Sequence, residues 1–175
     1  QLLEKGGKIT LKQSDGGLVT ALNSYFEGVD EEDTFSGKIW LGSADFPERR
    51  WLKYNEQQQE ETNFQVEPIF IDPKVYNKYY NGFCNATLWP LFHYFNSYVV
   101  YDDDAFRKYY EVNLLFAERL MAIARPDDVI WIHDYQLFLL PAMIREHMPQ
   151  ATIGFFLHIP FPTYEVFRLL HRKWK

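Results

Sequence analysis

The chain has 175 residues, enough for one domain with a sizeable buried core. Hydrophobic residues make up 47%, which excludes a disordered chain, and the net charge of −6 lacks the basic footprint of a nucleic-acid binder. The single cysteine, Cys84, excludes an intrachain disulfide, and no apolar run approaches the length of a membrane span.

Ile9, Thr10, Leu11 and Lys12 alternate as a strand does, and the turn Ser14-Asp15-Gly16-Gly17 follows. Leu18, Ala21, Leu22, Tyr25 and Phe26 fall at helical spacing, and Gly28 stops that helix. A short strand is predicted over 38–42, a polar helix over 47–61 and a strand over 64–71. A short helix and a loop are expected over 74–85. The acidic residues Asp102, Asp103 and Asp104 suit the positive end of a long helix over 105–124. Apolar strands are predicted over 129–132 and 151–157, with a helix over 137–147 between them that holds Pro141 in its first turns, and a last helix from Thr163. Apolar strands that alternate with helices predict an α/β class, a Rossmann-like doubly wound and mostly parallel sheet. One domain is expected over 1–175.

In such a sheet, ligands bind beyond the carboxyl ends of the strands. Three polar clusters fall there. Gly16 and Gly17 precede a helix, where they serve either as a turn or as an approach for a phosphate to free backbone N–H groups. Asp134 follows the strand over 129–132 and serves either as a helix N-cap or as an acceptor for sugar hydroxyls. His158 follows the strand over 151–157 and is held in a short loop by Pro160 and Pro162. The spacings of His133, Asp134 and His158 match no standard zinc pattern, so no metal and no cofactor are expected. No nucleophile-elbow pattern occurs, and Cys84 has no activating partner in sequence.

Four segments together are more specific. The run Tyr80-Asn81-Gly82-Phe83-Cys84-Asn85-Ala86-Thr87-Leu88-Trp89-Pro90-Leu91-Phe92-His93-Tyr94, the run Trp131-Ile132-His133-Asp134-Tyr135-Gln136-Leu137, the run His158-Ile159-Pro160-Phe161-Pro162 and the loop Gly16-Gly17-Leu18-Val19 resemble glycosyltransferase family 20, the trehalose-6-phosphate synthase family. They lie in that family's order. The resemblance implies the acceptor-side half of a two-domain GT-B transferase that moves glucose from UDP-glucose to glucose 6-phosphate with retention. It implies that Tyr80, Trp89 and Asp134 bind the acceptor, that Gly16, Gly17 and His158 bind the donor, and that Asp134 and His158 stand at the reacting centre.

The carboxyl-terminal donor domain is expected to lie outside these 175 residues, and the fragment alone is expected to be inactive. An upstream strand end with the family's arginine is absent, Gln136 stands where many members have histidine, and His171 stands where proline is common. The first eight residues are too polar for a signal peptide, so a cytoplasmic location with no membrane partner is expected. A homo-oligomer is compatible with the sequence. A non-catalytic regulatory relative and a sister transferase with another phosphorylated acceptor are the alternatives. The joint presence of Tyr80, Trp89, Asp134 and His158 favours the enzyme.

Overall fold

The computed structural model describes residues 2–5, 8–11, 24, 37–57, 65–171 and 174. The predicted helix at Leu18 and the Gly16-Gly17 loop lie outside these residues, Ser24 excepted. The chain divides into two compact units, Gln1–Phe70 and Ile71–Lys175.

In the first unit, β1 (Leu2–Lys5) and β2 (Lys8–Leu11) form an antiparallel hairpin. The alternation near Ile9 therefore marks a hairpin strand and not a member of a parallel sheet. Strands β3 (Ile39–Ser43) and β4 (Gln65–Ile69) pair in parallel, from Ile39 opposite Gln65 to Ser43 opposite Ile69. Helix α1 spans Glu48–Gln57. It buries Tyr54 with Ile9, and Phe46 and Trp51 pack against them. The Gln57 side chain accepts from the Ile9 backbone N–H at 3.1 Å, which ties the helix to the hairpin.

The second unit opens with α2 (Pro73–Tyr76), capped by Asp72, whose Oδ1 accepts from Lys74 N–H at 2.8 Å and Val75 N–H at 3.3 Å. The helix does not end there. It widens into a π-helix over Asn77–Leu88 and continues as α3 (Trp89–Phe92). The wide turn is visible at Trp89, whose N–H donates to the Cys84 carbonyl five residues back. The short helix and loop expected over 74–85 are therefore corrected to one continuous helical segment, which runs through Gly82 and on past Pro90. Gly82 is a contact point, since a Cβ there would lie 3.1 Å from Ala105 Cβ. Pro90 lacks an N–H, and the Ala86 carbonyl one turn earlier accepts from Val100 N–H at 2.8 Å.

Helix α4 (Asp103–Ile123) begins where the acidic triplet predicts, with the Asp102 carboxylate accepting from Asp104 and Ala105 N–H. Its apolar face carries Ala105, Tyr109, Val112, Phe116 and Ala117, all buried, and with them the polar Asn113. Strands β5 (Val129–His133) and β6 (Thr152–Phe156) pair in parallel, with α5 (Leu140–His147) between them in sequence. Pro141 sits in the first turn of α5, as expected. The short α6 (Tyr164–Phe167) follows Thr163.

The continuous apolar run in β5 predicts burial on both faces. Only Ile130 and Ile132 are buried, while Val129 is 54% and Trp131 41% exposed. The described strands form three two-stranded sheets, two of them parallel. The architecture is therefore α/β with short parallel sheets. Among the described residues no helix is long and apolar enough to cross a membrane.

Candidate active site

Strands β5 and β6 run side by side and end together, with His133 opposite Phe156. Asp134 extends the ladder by one bond, its N–H donating to the Phe156 carbonyl at 2.8 Å. The chain then turns sharply. Asp134 has φ 70° and ψ 169°, in a region that is nearly closed to residues other than glycine. Such a backbone persists only where its surroundings over-determine it.

Both alternatives read for Asp134 find support in its contacts. Oδ1 accepts from Tyr135 N–H at 3.0 Å, as a cap does for the 3₁₀ turn Tyr135–Leu137. The same oxygen accepts from His158 N–H at 3.3 Å, which joins the two strand ends. Among the described residues, Oδ2 has no partner. A half-buried carboxylate with one oxygen committed and one unpartnered can accept a hydrogen bond from a hydroxyl.

His158 is exposed, and its Nε2 meets His133 Nδ1 at 3.2 Å with the rings stacked at 5.4 Å between centroids. One of the two nitrogens must carry the proton and the other accept it. Burial lowers the pKa of His133, and the neighbouring His158 lowers it further against the opposing pull of Asp134. Phe156 lies against both rings.

Tyr80 is half-buried on the π-helix, stacked on Tyr76 at 5.5 Å and 16°. It belongs to the neighbourhood of Tyr135. Burial first, and then nearby Cys84, Asp134 and Tyr80, push the Tyr135 phenol well above its usual value. The Tyr135 hydroxyl donates to Asn85 Oδ1 at 3.2 Å. Trp89 is 40% exposed and stacks on His93 at 4.1 Å. Its turn ends at Tyr94, which has φ 65°, and the Tyr94 hydroxyl accepts from Thr163 N–H at 2.9 Å. Asp134 and His158 are thus in direct contact, Tyr80 is close by, and Trp89 is linked through Tyr94 to the segment after His158.

The residues missed in the sequence lie beneath the Asp134 turn. Tyr109 and Asn113 of α4 hold its backbone, and Tyr79 of the π-helix approaches the Gln136 carbonyl at 3.4 Å. The one available signal was Asn113, a polar residue in register with an apolar helix face. Among the described residues, no three His, Cys, Asp or Glu side chains gather as a metal-holding group.

The adjacent parallel strands β5 and β6 thus bring a carboxylate and an imidazole together beyond their carboxyl ends, the place where open α/β sheets bind ligands. The chain belongs to glycosyltransferase family 20, whose profile matches residues 2–175. Similar proteins include an α,α-trehalose-phosphate synthase (UDP-forming) A of Dictyostelium discoideum, 41% identical over 95% of this chain and 22% of its own length. An α,α-trehalose-phosphate synthase (UDP-forming) 2 of Aspergillus niger is 41% identical over 94% of this chain and 34% of its own. Among solved structures, a UDP-forming trehalose-phosphate synthase from Burkholderia xenovorans in complex with glucose-6-phosphate is 32% identical, with a TM-score of 0.70 over 92% of this chain and 34% of that one. An Escherichia coli structure described as bound with UDP-2-fluoro glucose is 32% identical, with a TM-score of 0.73 over 94% of this chain and 34% of that one. The chain spans between a fifth and about a third of the length of these relatives.

Proposed function

We propose that these residues are the acceptor-side part of a retaining glycosyltransferase that moves glucose from UDP-glucose to glucose 6-phosphate, forming trehalose 6-phosphate. The observation that carries this reading is Asp134, a carboxylate with one oxygen fixed by Tyr135 and His158 N–H and the other without a partner among the described residues. The names of the relatives and the ligands named for the two solved structures supply the substrates.

In this reading Asp134 Oδ2 accepts a hydrogen bond from an acceptor hydroxyl and turns its oxygen toward the anomeric carbon of the donor. The carboxylate orients, and it forms no covalent bond. The Tyr80 hydroxyl donates a hydrogen bond to the acceptor phosphate, and Trp89 offers a ring face and an indole N–H to the acceptor. His158 holds the donor glucose, with the His133 contact fixing its ring. Gly16 and Gly17 approach the donor phosphates through backbone N–H groups, which suit the charge that develops as UDP departs. The departing phosphate oxygen receives the proton of the attacking hydroxyl. No metal ion is needed where such donors neutralise that charge.

These residues then belong to the Rossmann-like, doubly wound acceptor-side domain of a GT-B pair, and the other domain binds the nucleotide. An acidic chain with one buried cysteine fits work in the cytoplasm, without nucleic-acid or membrane partners and with self-association compatible. The test is UDP release from UDP-glucose and glucose 6-phosphate. The protein extended over the length of its relatives should turn over, and the 175-residue chain alone should not. No turnover by the extended protein would reject the reading and favour the regulatory alternative.

A further inference from the structure

The Asp134 turn is held from beneath by buried side chains, foremost Tyr109 and Asn113 of α4. The Tyr109 hydroxyl donates to the Tyr135 carbonyl at 2.7 Å and accepts from Phe138 N–H at 3.1 Å. One phenol oxygen therefore spans the whole 3₁₀ turn. One helical turn further along α4, on the same face, Asn113 Nδ2 donates to the Gln136 carbonyl at 3.1 Å and to the Tyr109 carbonyl at 2.9 Å. Both residues are buried in an otherwise apolar face.

The arrangement carries a cost that packing alone would not incur. Asn113 Oδ1 is buried without a hydrogen-bond partner among the described residues, a cost that an apolar side chain would not carry. The amide spends its nitrogen on the turn and leaves its oxygen unsatisfied. Asp134 meanwhile holds a left-handed backbone that a single-residue turn would not hold unaided. We propose that Tyr109 and Asn113 are positioning residues, which hold the Asp134 backbone in its strained conformation and so aim the carboxylate at the acceptor. Burial keeps the Tyr109 phenol protonated far above its usual range, so it stays a donor to the Tyr135 carbonyl at any working pH. The aiming of the carboxylate rests on the function proposed above, while the strained turn stands on the backbone geometry.

The clamp is tested by melting four variants of the protein extended over the length of its relatives. These are Asp134→Gly and Asp134→Ala, each alone and each combined with Tyr109→Phe. Glycine accepts φ 70° and alanine does not, so Asp134→Gly should melt several degrees above Asp134→Ala while the clamp is intact. With Tyr109→Phe the turn can relax, and the difference should fall to less than half. A difference that is absent at the outset, or undiminished by Tyr109→Phe, overturns the clamp. With Asp134 intact, Tyr109→Phe should lower kcat about tenfold or more, with the glucose 6-phosphate KM changed less than about threefold. Tyr110→Phe, on the 50% exposed face of the same helix, should change neither. An unchanged kcat per folded site would overturn the positioning role, since a purely structural residue would alter only the melting. If the unsubstituted protein releases no UDP, the proposed function fails, and the melting cycle still decides the clamp.

Discussion

Replacing Asp134 by asparagine separates a cap from a reacting-centre residue. Asparagine keeps the shape and Oδ1, so Tyr135 N–H at 3.0 Å and His158 N–H at 3.3 Å both retain an acceptor. It also places no new demand on the backbone, since the two side chains branch alike. What it loses is charge. A hydrogen bond to a charged group contributes about 1.5–3 kcal/mol and a neutral one about 0.5–1.5, so the two bonds together lose roughly 2 kcal/mol. For a chain of this size or larger, that lowers the melting temperature by about 8 °C at most.

The effect on transfer should be larger than this. An oxygen that holds the attacking hydroxyl acts mainly in the transition state, and about 3 kcal/mol lost there is a factor of roughly 100 in kcat. The assay is coupled UDP release at saturating substrates, beside calorimetry on the same preparations. Asp134→Asn should stay folded with kcat down about 100-fold or more. A kcat within about threefold of the parent, at the same fold content, would refute the reasoning and leave Asp134 a cap of the 3₁₀ turn.

Trp89→Ala removes a 40% exposed ring that stacks on the exposed Phe95 and on His93, so melting should change little while the glucose 6-phosphate KM rises about tenfold, the equivalent of one lost hydrogen bond to a ligand. Initial rates against acceptor concentration measure it, and an unaltered KM would remove Trp89 from the acceptor site. His133 has a lowered pKa in the folded state, so below the ordinary histidine value of about 6.5 the unfolded chain binds more protons than the folded one. Stability contributed by neutral His133 is complete above that pH and is lost as pH falls toward the folded pKa. Melting temperature should therefore drop as pH falls below about 6.5, and His133→Leu should flatten that part of the curve. An equal slope in both proteins would reject the assignment.

What the sequence by itself determined is local or carried by side-chain identity. The Asp102 cap, the position of Pro141, the strands at Val129 and Thr152 and the pairing of a glycine, tyrosine, tryptophan, aspartate and histidine pattern with one family were all legible. Caps and periodicities act within a few residues, and a family pattern is a list of side chains in order. What only the tertiary structure decided depends on neighbours distant in the chain. The helix runs on through Gly82 and Pro90, where Ala105 packs against Gly82 and Val100 N–H takes the Ala86 carbonyl one turn before Pro90, and neither contact is written in the segment itself. Strand β2 pairs antiparallel with β1, because pairing direction depends on the partner and not on the alternation. The left-handed backbone of Asp134 and the grip of Tyr109 and Asn113 on its turn arise from contacts over more than twenty residues of separation. The sequence supplied the carboxylate, and the packing of α4 beneath the strand ends decided where it points.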